Sequence, residues 1–364
     1  MKKILLCILC FLLLLNTGCV QDRIIEERET ITSLEKQVVN NTTNNLIAND
    51  YTAVSVVGGT MYFMADEGDN TNLYEVSSNN SKIIYSEETP GPEDLLDEQL
   101  SSKYLTLNYV LDDKILRYAE SDTYIDTETG KLVESENTYT PNPKYSYDAY
   151  IINNQRYFFS VDEVYRYQDG EYKLLFSGSG KYAANSFIMD LKTTYINGDD
   201  FFTVMLSADG IYIIHYNFEK QKELGRVKID SSNNGGYIGV MNLIADGNDV
   251  YYTKTGVIYH ANLSSGKIEE IFKTDNGMIS FNYYNGVLYV NSFDLYNVNG
   301  KNGLYAIDTR NDNNVTEMVK QTIGGIYIFD NISVYYDSYD QDDNNTLYRY
   351  DLYTNDIETV FSVK

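Results

Sequence analysis

The chain has 364 residues, with 53 acidic against 28 basic side chains and a net charge of −25. A field of that sign repels phosphate backbones and anionic headgroups, which argues against nucleic-acid binding and against adhesion to a membrane by charge. Hydrophobic residues make up 43% and aromatics 14%, with 36 tyrosines and no tryptophan, enough apolar material for an ordinary core.

The first eighteen residues read as a targeting segment. Lys2 and Lys3 give a positive start, and Ile4 to Leu15 is an apolar run of twelve, too short to span a bilayer and suited to a signal-peptide core. Asn16-Thr17-Gly18 then precede Cys19. The Thr-Gly-Cys ending resembles the lipobox of bacterial lipoproteins, although Asn16 stands where that family prefers Leu. The resemblance implies lipid attachment at Cys19 and tethering to the outer side of a cell membrane, with palmitate among the acyl chains and contact with the membrane through the anchor alone. Cleavage also removes Cys7 and Cys10, so the mature chain has Cys19 as its one cysteine and can form no internal disulfide. It loses Lys2 and Lys3 too, and becomes two charges more acidic.

Residues 19–50 differ in pattern from the remainder of the chain. Ile24, Ile31, Leu34 and Val38 recur at near-heptad spacing, and the polar run 40–45 comes after them. Two heptads are too few for a coiled coil, and the segment reads as a stalk and linker.

From residue 51 to the C-terminus the chain repeats. Aromatic strands are expected at Met61-Tyr62-Phe63, Ile115–Tyr118, Tyr157-Phe158-Phe159, Phe201-Phe202, Val250-Tyr251-Tyr252, Leu288-Tyr289-Val290 and Val334-Tyr335-Tyr336. Each is followed by a second strand such as Ile258-Tyr259-His260-Ala261-Asn262 or Leu347-Tyr348-Arg349-Tyr350-Asp351, ending at Asp or Asn. With Glu75, Tyr124, Arg166, His215, His260, Ala306 and Arg349 taken as equivalent, the steps are 49, 42, 49, 45, 46 and 43. Polar turns such as Gln168-Asp169-Gly170 and Ser264-Ser265-Gly266 come next, as hairpins require. Four strands at this period predict an all-β fold, a β-propeller of seven blades, because a lone four-stranded sheet cannot bury both faces whereas a ring of them can. The irregular stretch 86–146 leaves six or eight blades open.

Blade five carries Tyr251-Tyr252-Thr253-Lys254 and then Ile258–Leu263. This resembles the YWTD repeat of low-density-lipoprotein-receptor-type propellers, with Tyr for Trp and Lys254 for Asp. Tyr157–Ser160 and Tyr335-Tyr336-Asp337 are looser copies. The resemblance implies a propeller with a binding role.

No nucleophile elbow, phosphate loop or His-x-x-x-His pair occurs, so no catalytic or cofactor-binding residues are assigned. His215 and His260, the two histidines, share one place in the repeat, where ring rotation keeps equivalents apart. Asp340, Asp342 and Asn344 offer oxygen ligands at the first alternate places of a calcium loop. Asn345 stands where such a loop needs Gly, and the twelfth-place Glu is missing, so a solvated hairpin tip is the plainer reading.

The longer connections, 66–71, 292–302 and 338–345 within units and 86–103 and 135–147 between them, are expected on one face. They carry Asp66, Glu67, Asp69, Glu87, Glu88, Glu93, Asp94, Asp97, Glu98, Asp340, Asp342 and Asp343. This acidic face is the expected working surface of a non-enzymatic module that binds a protein or peptide partner, a basic one. The alternatives are a cell-envelope glycan hydrolase or lyase using carboxylates near the central channel, and an envelope assembly scaffold.

Overall fold

The computed structural model describes residues 54–77, 80–89, 110–116, 123–134, 148–160, 162–179, 182, 186–188, 193–231, 239–273, 277–294, 302–328, 332–339 and 345–362. Every regular element among them is a β-strand. The strands form seven antiparallel sheets, each built from consecutive strands, over residues 54–88, 110–134, 148–177, 186–230, 240–273, 277–319 and 326–362. These are the blades. In blade four the innermost strand comes in two pieces, Ser186–Ile188 and Thr194–Asn197, both paired with Asp200–Ser207. The predicted aromatic and Tyr-led strands are the second and third of each blade, and the weak copy at residues 123–126 is a true third strand, Thr123–Asp126, so the count is seven.

Apolar side chains on both faces of the middle strands pack against the neighbouring blades. Ile115 and Ile125 of blade two meet Tyr62, Leu73 and Ile84 of blade one. Leu116 touches Ile151 of blade three, and Phe159 and Phe176 of blade three share a cluster with Phe201 and Met205 of blade four. One large cluster runs through blades four, five and six, and Tyr289 and Leu304 of blade six join Val334 and Tyr336 of blade seven. The ring closes where Phe63 and Tyr74 of blade one pack on Phe361 of blade seven, ring centroids 5.1 and 4.6 Å apart. Among the described residues no strand is exchanged at this junction, and closure there rests on side-chain packing.

Innermost strands splay around the channel and do not pair with one another, so their backbone carbonyls need other donors. Asparagines supply them from the preceding blade. Asn153 Nδ2 donates to Ile196 O (3.4 Å), Asn242 Nδ2 to Ile279 O (2.9 Å) and Asn282 Nδ2 to Ile326 O (2.7 Å).

The turns follow their chemistry. Gly58-Gly59, Asp112-Asp113, Asn153-Asn154, Asp169-Gly170 and Asn285-Gly286 have positive φ at both central residues, the pattern of type I′ hairpins, whose twist matches the strands. The Asp or Asn that ends the third strand in blade two and in blades four to seven has a job in the next turn. Asn262 Oδ1 accepts from the Ser264 and Ser265 N–H groups, Asp126 Oδ1 from Glu128 and Thr129, and Asp351 Oδ1 from Tyr353 and Thr354.

Outer strands carry one further regularity. In blade one and in blades three to seven the pairing of third and fourth strands shifts after the second, third or fourth residue, as at Leu73/Tyr74, Ile211/Tyr212, Ile258/Tyr259 and Leu347/Tyr348. Such a bulge twists the exposed edge and hinders edge-to-edge pairing.

Candidate functional site

With consecutive antiparallel strands, connections from second to third strand and from blade to blade emerge on one face of the ring, and the remaining hairpins on the other. Residues 90–109, 135–147, 295–301 and 340–344 therefore leave and rejoin the described residues at the first face. The acids of blade one stand there in pairing register, Asp66 opposite Thr71 and Glu87 beside it. Thr71 Oγ1 donates to Asp66 Oδ1 at 2.6 Å, Tyr74 Oη to Glu67 Oε2 at 2.8 Å, and Tyr85 Oη to Glu87 Oε2 at 3.0 Å. Hydroxyl groups thus fix these carboxylates in place.

Residues 66–71, expected as one of the longer connections, are instead a tight turn. The strands Thr60–Glu67 and Asn70–Ser77 run to within two residues of each other, and Gly68 at φ 63° reverses the chain between them. The polar run Asp66–Asn70 looked like a loop because its acids lie inside strand ends. Cys19, Glu93, Asp94, Asp97, Glu98 and the calcium candidates Asp340, Asp342 and Asn344 lie outside the described residues. Among the described residues no group of three His, Cys, Asp or Glu side chains is placed to hold a metal ion.

Toward the same face, blade seven buries a carboxyl that sequence reading passed over. Asp337 is 2% exposed, and its Oδ1 accepts from Gly325 N (2.7 Å) and Tyr327 Oη (2.9 Å). Burial pushes this carboxyl above the usual range, against the hydrogen bonds, which pull it down. A Cβ at Gly324 would fall 2.2 Å from its Oδ2, so only glycine fits beside it. The signal was present as Tyr335-Tyr336-Asp337, where a charge follows two buried-strand tyrosines, but it was absorbed into the YWTD-like pattern.

The opposite face carries the histidines. Strand pairing sets Phe202 against His215 and Tyr251 against His260, so the two are equivalent places in adjacent blades. Each has its own acid. His215 Nε2 lies 2.8 Å from Asp200 Oδ1, which also accepts from Asn217 Nδ2 at 2.9 Å. His260 Nε2 lies 2.7 Å from Asp249 Oδ1, which accepts from Asn262 Nδ2 at 2.8 Å. His260 Nδ1 is engaged as well, 3.0 Å from Glu269 Oε1. Both imidazoles stack on the aromatic ring opposite, Phe202 at 4.2 Å and Tyr251 at 5.1 Å. Desolvation raises the Asp200 carboxyl, and the bonds from Asn217 and His215 outweigh it, leaving the group below the usual carboxylate range.

The two places differ in what covers them. Between blades five and six, Tyr283 stacks on Tyr251 at 5.3 Å. Between blades four and five a cavity of about 180 Å³ opens instead, lined by Tyr195, Asp200, Phe202, His215, Ala245 and Asn248 among others.

No family model matches the chain, and no curated protein matches it either. Among solved structures, it is similar to a puromycin-hydrolysing peptidase of Mycobacterium tuberculosis, with 11% identity and a TM-score of 0.51 over 89% of this chain. The chain spans about half, 55%, of that enzyme's length. It is also similar to Sqt1 of Saccharomyces cerevisiae (12% identity, TM-score 0.42, 86% of this chain and 85% of that one). A third is BamB of Moraxella catarrhalis (14% identity, TM-score 0.36, 66% and 68%). At the identity of the peptidase a likeness speaks for fold alone, and it agrees with the sheet order: the chain is a seven-bladed β-propeller, a fold that suits a binding module.

Proposed function

We propose that this chain is a lipoprotein of the bacterial cell envelope, tethered through Cys19 outside the membrane, whose propeller holds a basic protein or peptide partner on its loop-rich face. The observation that carries the reading is topological. The strand order brings the blade-one acids to the same face as the segments bearing Glu93, Asp94, Asp97, Glu98, Asp340, Asp342 and Asp343. A rigid ring whose loop-rich face gathers acids favours encounter with a positively charged surface there. The Tyr-Tyr-Thr-Lys run of blade five supports kinship with YWTD-type propellers. Its Lys254, where that repeat has Asp, pairs with Asp230 of blade four across the blade junction.

Two measurements test this. Labelled palmitate is expected to enter the wild-type chain and not Cys19→Ala, and equal labelling would remove the anchor from the proposal. For the partner, amine-reactive crosslinking is performed on intact cells. Neutralising Glu93, Asp94, Asp97, Glu98, Asp340, Asp342 and Asp343 is expected to cut crosslinked adducts about tenfold. Neutralising Asp169 and Asp312, in turns on the other face, is expected to leave them unchanged. Adducts that survive the first set undiminished would overturn the assignment of the face.

A further inference from the structure

The cavity between blades four and five has an identifiable origin. In the first six blades one residue of the innermost strand stands opposite the second residue of the next strand. At this place stand Val56, Val110, Ile151, Ile196, Ala245 and Tyr283, paired with Met61, Ile115, Arg156, Phe201, Val250 and Leu288. Ala245 is the smallest of the six. Where Tyr283 lays its ring over Tyr251 of the preceding blade, Ala245 puts no ring beside Phe202, and a cavity opens there. The cavity is thus a deleted side chain in an otherwise regular junction, not a failure of packing around the ring. Its walls at the junction are close-packed: Tyr195 and Phe202 belong to the cluster that runs on through Leu243, Ile244 and Val250.

The chemistry of the walls selects a ligand. Two aromatic rings stand side by side, Tyr195 and Phe202, centroids 6.1 Å apart and inclined at 49°. Asp200 supplies a carboxylate at the mouth. Its Oδ1 is occupied by His215 and Asn217, and among the described residues no hydrogen bond reaches Oδ2. Asp246, one residue from Ala245, adds negative potential at Tyr195, whose hydroxyl is pushed up to about 12 by burial first and by that charge second. Lys220 is the cation that acts on Asp200. The carboxylate at the mouth, with the potential of Asp246 behind it, attracts a cation through charge. At about 30 Å³ per water, 180 Å³ holds roughly six water molecules, which suits a group of a few carbons around one nitrogen.

We propose that this cleft is a binding site for a small organic cation, an ammonium group seated in the space that Ala245 leaves beside Phe202, with its charge against Asp200. His215 acts as a positioning residue, stacked on Phe202 and holding Asp200 by Oδ1. The site is independent of the protein-binding face, being at the opposite end of the blades.

The test uses the full chain in a non-ionic detergent, with choline as the probe and its uncharged isostere 3,3-dimethylbutanol as the control, followed by ligand-observed NMR. Choline is expected to bind with submillimolar affinity and the isostere at least tenfold more weakly. Asp200→Asn, which keeps the oxygen that accepts from Asn217, is expected to weaken choline about tenfold. Ala245→Tyr copies the covering ring found one junction on and is expected to abolish binding while leaving the melting temperature at or above that of the wild type. Should that ring fail to fit, Ala245→Val, which copies blades one and two, is expected to reduce affinity severalfold. A second arm separates a free amine from a lipid headgroup. Because an anchor at Cys19 enters any vesicle, the readout is co-sedimentation in excess of that of Asp200→Asn, and an excess on phosphatidylethanolamine vesicles that is absent on pure phosphatidylglycerol vesicles would assign the ammonium to a headgroup. The proposal is overturned if choline and its isostere bind equally, if choline does not bind and vesicles show no such excess, or if a folded Ala245→Tyr binds as the wild type does.

Discussion

Ring closure makes the sharpest quantitative prediction, because it depends on packing between the two ends of the chain and not on a shared strand. Phe63 is fully buried at that junction, in edge contact with Phe361. Replacing it by alanine removes the transfer free energy of a buried ring and leaves a cavity, a loss of about 3–5 kcal/mol. Unfolding entropy runs near 2.1 cal/mol/K per residue, so the roughly 230 described residues give about 0.5 kcal/mol/K, and the expected fall in Tm is about 6–10 °C. Phe361→Ala is expected to behave alike. The double variant should fall short of additivity by about 0.5–1.5 kcal/mol, the usual coupling of an aromatic pair. The assay is far-UV circular dichroism during heating at a fixed scan rate, repeated in urea to read the free energies. A Tm within 2 °C of wild type for Phe63→Ala would refute the reasoning, since a packed closing junction cannot lose its central ring so cheaply. Strict additivity of the pair would show that the two rings do not meet.

Further outcomes rest on the same geometry. Asp337→Asn keeps the acceptor for Gly325 N–H and Tyr327 O–H but removes a carboxyl that burial pushes up. Because the folded-state pKa is raised, wild-type stability is lost as pH rises through it, so the variant should be the more stable at pH 7, by about 1.4 kcal/mol per pKa unit of displacement. That advantage should vanish below the unfolded carboxyl range near pH 3.9; urea unfolding at both pH values checks it, and a variant no more stable at pH 7 contradicts it. Asn282→Ala strips the donor from Ile326 O at the channel wall and is expected to cost about 1–2 kcal/mol, with faster amide exchange in the innermost strand of blade seven. Asn262→Ala removes the turn acceptor for two N–H groups and one bond to Asp249, and should cost about 1 kcal/mol in urea unfolding while leaving choline binding to blade four unchanged.

How much of this could be read from the chain alone depends on whether a feature is repeated by physics or broken by one residue. The period was legible because third strands serve two needs at once. Their tyrosine or aliphatic residues cover the neighbouring blade, and a last Asp or Asn turns back to cap the next hairpin, as Asn262, Asp126 and Asp351 do. The first need recurs in every blade and the second in five of the seven, so a trace survives even in the shortened Thr123–Asp126. The equivalence of His215 and His260 was legible for the same reason, and their pairing with Phe202 and Tyr251 bears it out.

Other features needed pairing registers that sequence does not give. Asp66–Asn70 reads as a loop by composition, yet a glycine at φ 63° lets the strands run almost to its tip. The bulges of the outer strands have no residue signature, since the extra position is filled by Ile, Leu, Met or Val alike. Ala245 illustrates the limit most clearly. A small residue at the end of a strand is ordinary in a sequence, and its meaning appears only when Tyr283 is seen occupying the equivalent space one blade further on. A repeat fixes what most positions must be, so a function added to it has to be written in the exceptions, and an exception is visible only against registered copies. That is why the cleft at Ala245, together with Asp337, the one carboxyl buried among the described residues, says more about this propeller's particular role than its abundant surface acids do.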